Sequence, residues 1–168
     1  MNLLVYRKKR NFKKSFEPKG EIKKTKVKDK KTIFVIQKHL SKRKHFDFRI
    51  QINNVLKSWA VPKGIPKSTN IKRLAMLTED HPLEYASFEG TIPKGEYGAG
   101  KVLIYDKGTF ENIKKDEKGR VISLNKCFKS GQIEIFLRGK KINAAFALIR
   151  FKDEKTWLLI KMKRKIYE

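Results

Sequence analysis

Cysteine is almost absent from this chain of 168 residues, which contains only Cys127. A single thiol excludes an internal disulfide framework and a zinc site built from several cysteines. Long apolar runs are also missing, since the longest, residues 144–149, is far shorter than the roughly 18 residues of a membrane span. No stretch has the Gly-x-x-x-x-Gly-Lys-Ser/Thr spacing of a P-loop, so the sequence does not support a P-loop NTPase.

Acidic residues are scarce, because 17 Asp and Glu stand against 42 Lys and Arg, which gives a net charge of +25. Such a charge favours a polyanionic partner, and we expect nucleic acid in preference to an acidic membrane surface. The apolar residues 3–5 precede the first basic cluster, which is the wrong order for a secretory signal. We therefore expect a cytoplasmic protein with no membrane partner.

The basic residues are concentrated near the N-terminus, where residues 7–31 hold 13 basic side chains against Glu17, Glu21 and Asp29. One interpretation is a solvated, partly disordered basic arm. The other is an arm that closes over a phosphate backbone when nucleic acid binds. We predict this arm over residues 1–31 and a single folded domain over residues 32–168.

From residue 32 onward, the sequence consists mainly of short segments typical of β-strands. Residues 32–39 are rich in β-branched and aromatic side chains, and residues 45–52 alternate between polar and apolar, which predicts a half-buried strand. Further strands are predicted at residues 55–61, 83–89, 101–105, 132–137, 144–151 and 157–162, between turns rich in glycine and proline. Gly108 is one of the turn residues, and residues 114–120 are predicted to be an exposed loop. This pattern indicates an antiparallel sandwich or small β-barrel with short helical turns.

Two of the three histidines flank one predicted hairpin. His39 ends a strand and His45 begins the next, where His45, Asp47 and Arg49 share one face. Two imidazoles and a carboxylate suit a divalent metal such as Mn²⁺, Zn²⁺ or Fe²⁺, and an arginine suits a phosphate oxygen. The alternative is a polar sheet face on which His45 and Asp47 form an exposed pair.

A second group of polar residues lies at residues 77–85. His81 and Tyr85 could supply hydrogen bonds to phosphate or general acid chemistry, and Glu79 could orient a histidine. The alternative is that the segment around His81 is simply a turn. The glycine-rich residues 89–100 favour tight-turn structure over a nucleotide cradle.

Six motifs occur in order along the chain. They are FVIQKH at 34–39, HFDFR at 45–49, LKSWAVPKG at 56–64, KRLA at 72–75, EDHPLEY at 79–85 and FEGTIPKGEYGAG at 88–100. Together they closely resemble the 3′-phosphoesterase domain of bacterial DNA ligase D and its stand-alone archaeal and bacterial relatives. The resemblance extends over about residues 6–161.

This resemblance implies a compact β-barrel with a metal-containing groove and a manganese-dependent enzyme that heals DNA 3′ ends. Such an enzyme removes a 3′-terminal ribonucleoside and then hydrolyses the remaining 3′-phosphate to a 3′-hydroxyl. The expected cofactor is Mn²⁺, with Co²⁺ or Zn²⁺ as alternatives. The expected partners are DNA primer–template 3′ ends, including ends with a 3′-ribonucleotide, together with a separate DNA ligase and end-joining factors. We also expect a monomer.

The resemblance also assigns roles to individual residues. The implied metal ligands are His39, His45 and Asp47. The implied contacts to the scissile phosphate are Arg49, His81 and Tyr85, with His81 as the candidate proton donor to the leaving oxygen. The implied supporting and substrate-binding residues are Gln37, Glu79, Lys63, Arg73, Arg10 and Glu17.

One position departs from the family pattern, because Asn11 stands where the R-D-F … E-P pattern has an acid. The arm of the family serves the ribonucleoside-removing step in particular, so we expect that step to be weak relative to phosphate removal. The chain also lacks the K-x-D-G motif of a ligase nucleophile, which predicts a separate end-processing enzyme. The rival functions are a non-catalytic DNA-end-binding module and a metal-dependent oxygenase.

Overall fold

A computed structural model describes residues 2–20 and 32–163 of the chain. The elements in chain order are α1 (Leu4–Lys8), β1 (Ile33–Leu40), β2 (His45–Ile52), β3 (Val55–Val61), β4 (Lys72–Leu77), β5 (His81–Pro82), a 3₁₀ helix (Leu83–Ser87), β6 (Gly90–Ile92), β7 (Gly100–Asn112), α2 (Leu124–Ser130), β8 (Gln132–Gly139), β9 (Asn143–Arg150) and β10 (Thr156–Lys161). No helix within these ranges is long and apolar enough to cross a membrane.

Eight of the strands form a closed antiparallel barrel. The order of neighbours is β1-β2-β3-β4-β10-β9-β8-β7, and β7 pairs with β1 to complete the ring. The short strands β5 and β6 pair with β3 and β7, respectively. The prediction of a mainly β protein with a small antiparallel barrel and short helical turns is therefore confirmed.

The barrel interior is apolar and receives side chains from all eight strands of the ring. In β2 the even-numbered residues Phe48 and Ile50 point inward, as the alternation of the sequence predicts. Trp59 and Trp157 meet edge to face in this interior, with ring centroids 5.4 Å apart. The inner core fixes the barrel and leaves the odd-numbered residues of β2 on its outer face.

The outer face of β1–β3 is also covered, by α1 and by the 3₁₀ helix. Tyr6 of α1 and Tyr85 of the 3₁₀ helix form a second apolar cluster with Val35 and Leu56 of the sheet. The prediction of a strand over residues 45–52 is confirmed, but the expectation that it is only half-buried is wrong, because Asp47 and Arg49 on its polar face are also buried. The guanidinium of Arg49 lies against the ring of Tyr85, with Cζ 4.8 Å from the ring centroid.

Some predicted elements differ from those of the structure. Residues 83–89 were predicted as a strand, but the segment forms the 3₁₀ helix, and the side chain of Gln37 binds the carbonyls of Tyr85 and Phe88. The predicted turn at Gly108 is also wrong, because this residue lies within β7. A Cβ atom at Gly108 would meet the carbonyl of Arg138, so glycine permits the close pairing of β7 with β8. Strand β4 and helix α2 were not predicted.

The first part of the predicted arm is docked on the barrel. Tyr6, Ser15 and Glu17 are buried, so the interpretation as a solvated arm is wrong for residues 2–20. Residues 21–31 lie outside the described residues. The division of the chain into an arm and one barrel domain therefore stays a prediction.

Candidate active site

The three predicted metal ligands meet at the turn end of the β1–β2 hairpin. Antiparallel pairing places His39 opposite His45, and Asp47 lies two residues further along β2. The Oδ2 atom of Asp47 lies 3.7 Å from Nδ1 of His39 and 3.4 Å from Nε2 of His45. One ligand atom from each residue lies within 4.8 Å of the other two. We call His39, His45 and Asp47 the metal trio.

Backbone carbonyls fix the tautomers of both histidines in the metal trio. Nε2 of His39 lies 2.7 Å from the carbonyl oxygen of Gly98, and Nδ1 of His45 lies 3.0 Å from that of Arg43. A carbonyl oxygen only accepts, so these nitrogens carry the protons. The opposite nitrogens face Asp47: in neutral imidazoles they hold the lone pairs that could ligate a metal ion, and when protonated they donate to the carboxylate. The donor set therefore fits a divalent transition metal ion.

The carboxyl of Asp47 is held in its charged form. Burial alone would raise the pKa of Asp47, but the Arg49 guanidinium and the hydrogen bonds from His39 and His45 outweigh burial and hold that pKa far below its ordinary value. The hydrogen bond with Asp47 raises the pKa of His45 against the opposing effect of burial. Asp47 is thus a carboxylate at neutral pH.

Arg49 lies beside the metal trio with its guanidinium buried. Its Nε donates to Oε1 of Gln37 at 2.7 Å, and its Nη2 lies 3.4 Å from Oδ2 of Asp47. The side-chain nitrogen of Gln37 donates to the carbonyls of Tyr85 and Phe88, at 2.9 and 3.0 Å, which fixes the orientation of this amide. The Nη1 atom of Arg49 is buried and has no hydrogen-bond partner among the described residues. A guanidinium that keeps one buried nitrogen without a partner is suited to bind an anion through that nitrogen.

His81 is buried next to Arg10 of the N-terminal segment. Its Nδ1 lies 2.8 Å from the carbonyl of Glu79, and its Nε2 lies 3.3 Å from Nη2 of Arg10. A guanidinium only donates, so Nε2 accepts and Nδ1 carries the proton. Burial, together with the charges of Arg49 and Arg10, lowers the pKa of His81 well below its ordinary value. A neutral His81 with an accepting Nε2 argues against the expectation that it protonates the leaving oxygen.

The N-terminal segment and the 3₁₀ helix share a buried polar network. Arg10 pairs through Nε with Glu17 at 2.8 Å and through Nη1 with Glu79 at 3.1 Å. Glu17 also accepts hydrogen bonds from Tyr85 Oη and from Ser15 Oγ, each at 2.8 Å. The hydroxyl of Tyr85 is therefore engaged by Glu17, although the resemblance implies a contact from Tyr85 to phosphate.

Three residues named from the sequence lie apart from this network. Lys63 is exposed in the turn after β3, and Arg73 is half-buried on β4 with an Nε that has no partner among the described residues. Asn11 is exposed, and its side-chain oxygen accepts from the backbone of Lys13. The structure thus gathers most of the predicted site residues at one place and leaves these three at its periphery.

The sequence analysis did not identify two kinds of group at the site, namely two backbone carbonyls and two side chains. The carbonyls of Arg43 and Gly98 orient the histidines. Every residue has a backbone carbonyl, so the sequence does not show which carbonyls will bind a side chain. Lys9 and Tyr97 border Glu79 and Arg10, respectively, and the only sequence signal for Tyr97 was its position in the glycine-rich segment.

Fold and site together define a class of protein: a strongly basic antiparallel β-barrel with a candidate metal centre on the outer face of its sheet, beside an arginine whose buried Nη1 has no partner among the described residues. Residues 37–150 match the family model described as the DNA Ligase D 3'-phosphoesterase domain. The chain belongs to this family, and it is a phosphoesterase domain.

Several curated relatives support this assignment. The chain is 45% identical over 139 residues to the multifunctional non-homologous end joining DNA repair protein LigD of Mycobacterium tuberculosis. This alignment covers 80% of this chain and 17% of that protein. It is 46% identical over 164 residues to LigD of Mycolicibacterium smegmatis and 38% identical over 164 residues to LigD of Pseudomonas aeruginosa. These two alignments cover 96% of this chain and 20% and 18% of the relatives. The chain thus spans about a fifth of the length of the relatives it matches.

Proposed function

We propose that this protein is a metal-dependent phosphoesterase that heals DNA 3′ ends for non-homologous end joining. It removes a 3′-terminal ribonucleoside, which leaves a 3′-phosphate, and then removes that phosphate to leave a 3′-hydroxyl for a ligase. One observation carries the proposal: the metal trio lies directly beside the unpartnered Nη1 of Arg49. The relatives are named as non-homologous end joining proteins, which supports the biological role.

His39, His45 and Asp47 would hold the metal ion, and Mn²⁺ is our preferred cofactor, with Co²⁺ or Zn²⁺ as alternatives. When bound, the ion supplies polarisation of a phosphoryl oxygen and a lowered pKa of a water molecule. The chain itself prepares the ligand set, because Gly98 and Arg43 fix the histidine tautomers before any ion arrives.

Arg49 would bind a non-bridging oxygen of the scissile phosphate through Nη1. Its Nε is held by Gln37 and its Nη2 lies beside Asp47, so the guanidinium is already oriented when the phosphate arrives. Most of the catalytic benefit in phosphoryl transfer comes from such pre-oriented charge. Arg49 is therefore our principal catalytic residue outside the metal trio.

The buried network around Arg10 would position the other side of the site. Arg10 lies against His81, and Glu17 links Arg10 to Tyr85. The carboxylates of Glu17 and Glu79 balance the charge of Arg10, so phosphate binding in this proposal depends on the free Nη1 of Arg49. Lys63 and Arg73, at the periphery, would bind phosphates of the DNA backbone.

Two rival functions are less consistent with this arrangement. A DNA-binding module without catalysis has no need of a buried carboxylate on its contact face. A non-haem iron oxygenase has the same type of ligand set. However, it has no need of an arginine with a free Nη1 beside the ligand set or of a net charge of +25.

The proposal is tested with a 5′-labelled primer–template that ends in a single ribonucleotide. In Mn²⁺ we expect the label to pass first to a 3′-phosphate product and then to a 3′-hydroxyl product, and we expect neither product with a chelator. Parallel reactions contain Mg²⁺, Co²⁺ or Zn²⁺. His45→Ala should abolish both steps, whereas Arg138→Ala, which changes an exposed residue of β8, should retain them. Products that form equally in chelator, or turnover of 2-oxoglutarate, would contradict the proposal.

A further inference from the structure

Tyr97 is an aromatic residue at the rim of the site that has no role in the function proposed above. It lies in the glycine-rich segment between β6 and β7, and 45% of its surface is exposed. The next residue, Gly98, accepts the hydrogen bond from His39. Consecutive Cα atoms are about 3.8 Å apart, so Tyr97 stands within one residue of a contact to the metal trio.

Two cations of the N-terminal segment hold the ring of Tyr97. Nζ of Lys9 lies 4.7 Å from the ring centroid, and Cζ of Arg10 lies 5.3 Å from it. Nζ of Lys9 also donates to the hydroxyl of Tyr97 at 3.4 Å. Both cations pair with Glu79, which ties them to the floor of the site. The ring is therefore fixed in position while nearly half of the residue stays open to solvent.

An aromatic ring that is fixed, partly exposed and surrounded by positive charge is suited to stack on a nucleobase. Proteins that bind single nucleic acid strands combine a basic groove with such aromatic platforms, because every base has a π-face. Tyr97 precedes Gly98, which accepts from His39 of the metal trio, and Arg49, which pairs with Asp47 of the same trio, offers a free donor for phosphate. Tyr97 and Arg49 could therefore bind the base and the phosphate of one nucleotide.

We propose that Tyr97 stacks on the base of the nucleotide that carries the scissile 3′-phosphate, and so positions this phosphate at Arg49 and the metal trio. The proposal rests on the proposed function. That nucleotide is present both before and after the ribonucleoside is removed, so Tyr97 is a positioning residue for both steps. A DNA end whose last base is missing is then a poor substrate.

Binding is measured without turnover, on a primer–template with 2-aminopurine as its last base and a 3′-phosphate, in the presence of a chelator. Stacking quenches the fluorescence of 2-aminopurine. We expect quenching with the wild type, with Tyr97→Phe and with Tyr97→Trp. Tyr97→Ala should lose the quenching and bind about 5- to 150-fold more weakly. Phe151→Ala, which removes an exposed aromatic residue at the end of β9, should behave as the wild type.

Kinetics provide the second readout, with primers whose last nucleotide is either intact or abasic. Tyr97→Ala should raise KM by about 5- to 150-fold on the intact primer and leave KM unchanged on the abasic primer, because a base that is absent cannot lose its stacking. An equal loss on both primers would overturn the proposal, because it would show that the residue only supports the loop. A loss in Tyr97→Phe as large as that in Tyr97→Ala would also overturn it.

The two proposals fail separately in these experiments. If the wild type releases no phosphate but quenching depends on Tyr97, the proposed reaction is wrong and the stacking stands. If phosphate is released and quenching survives Tyr97→Ala, the reaction stands and the stacking is wrong.

Discussion

Arg49 combines a buried charge with an unsatisfied donor, because Gln37 and Asp47 engage Nε and Nη2 and leave Nη1 free. A lysine in its place keeps the charge but has a single nitrogen, so it cannot keep these contacts and also bind phosphate. We expect Arg49→Lys to lower kcat by about 100- to 1000-fold, the usual cost of losing one pre-oriented donor.

Phosphate release from a 3′-phosphate primer at saturating Mn²⁺ measures the effect of Arg49→Lys. Arg138→Lys is the matched control, because Arg138 is an exposed arginine paired with Glu111. Circular dichroism should show the same β-structure for both variants. Near-normal turnover by Arg49→Lys would show that Nη1 does not bind the reacting phosphate.

His81 links the site to the acid stability of the protein. The pKa of His81 is lowered in the folded state. As the pH falls, His81 is therefore protonated in the unfolded chain before it is protonated in the folded protein. The stability contributed by a neutral His81 is present above the ordinary histidine pKa of about 6.5 and is lost as the pH falls below it. The free energy of unfolding should therefore fall between pH 6.5 and 5, by up to about 1.4 kcal/mol per pH unit from this residue.

Urea unfolding of the wild type and of His81→Gln at several pH values, in chelator, isolates this contribution. The difference between the two proteins removes the titration of His45, whose pKa is shifted in the opposite direction. We expect the pH dependence to be shallower in His81→Gln over this range. Parallel curves for the two proteins would mean that His81 is protonated in the folded state.

At the scale of single elements, the β1–β2 hairpin shows how much of the site the sequence could predict. Strict alternation over residues 45–52 assigns each side chain of β2 to either the inner or the outer face of the sheet. The short turn before β2 fixes the pairing of His39 with His45. Both are local properties, so the proximity of the three side chains of the metal trio can be predicted from residues close together in the chain. The apolar interior of the barrel follows from the same alternation.

The covering of that hairpin could not be predicted from such patterns. Arg10 contacts Glu79, which is 69 residues away in the chain, and Tyr85 contacts Glu17 across 68 residues. Nothing in the periodicity of residues 7–20 indicates which surface they will meet. The same limit explains the 3₁₀ helix, whose carbonyls are bound by Gln37 of a distant strand.

The N-terminal segment contains Asn11, which departs from the R-D-F … E-P pattern that the resemblance implies. Asn11 is exposed, next to Arg10 and at the border of a cleft of about 810 Å³ that Arg7, Lys13 and Lys19 also line. Asn11→Asp places a negative charge beside these cations, as in the pattern that the resemblance implies. We expect the variant to increase ribonucleoside removal more than phosphate removal.

The ratio of the two rates on matched primers, one ending in a ribonucleotide and one in a 3′-phosphate, measures this change. Asn125→Asp is the control, because Asn125 is an exposed asparagine that pairs with Asn53. Equal effects on both rates, or none, would show that residue 11 has no role specific to one step.

On the scale of the whole molecule, the net charge of +25 predicts strongly salt-dependent binding to DNA. Lys8, Lys13, Lys14 and Lys19 are exposed on the segment that covers the site. If each meets one phosphate, replacing all four with glutamine should flatten the slope of log K against log salt by up to about 3.6.

A second quadruple variant controls for the loss of net charge. Its replaced lysines are exposed in loops or on α2: Lys118, Lys126, Lys129 and Lys155. Fluorescence anisotropy over a series of salt concentrations gives both slopes. We expect the larger change in the first variant. The same slope in both variants would mean that the N-terminal segment stays off the duplex.

The placement of the site outside the barrel has a consequence for heat inactivation. The inner core and the outer cluster of Tyr6, Val35, Leu56 and Tyr85 have no residue in common, so local unfolding of the outer layer leaves the inner core packed. The outer cluster is much the smaller of the two, and Arg10 and Glu17 depend on it for their positions. On heating, catalytic activity should therefore be lost at a lower temperature than the β-structure, so the protein is inactivated before the barrel unfolds.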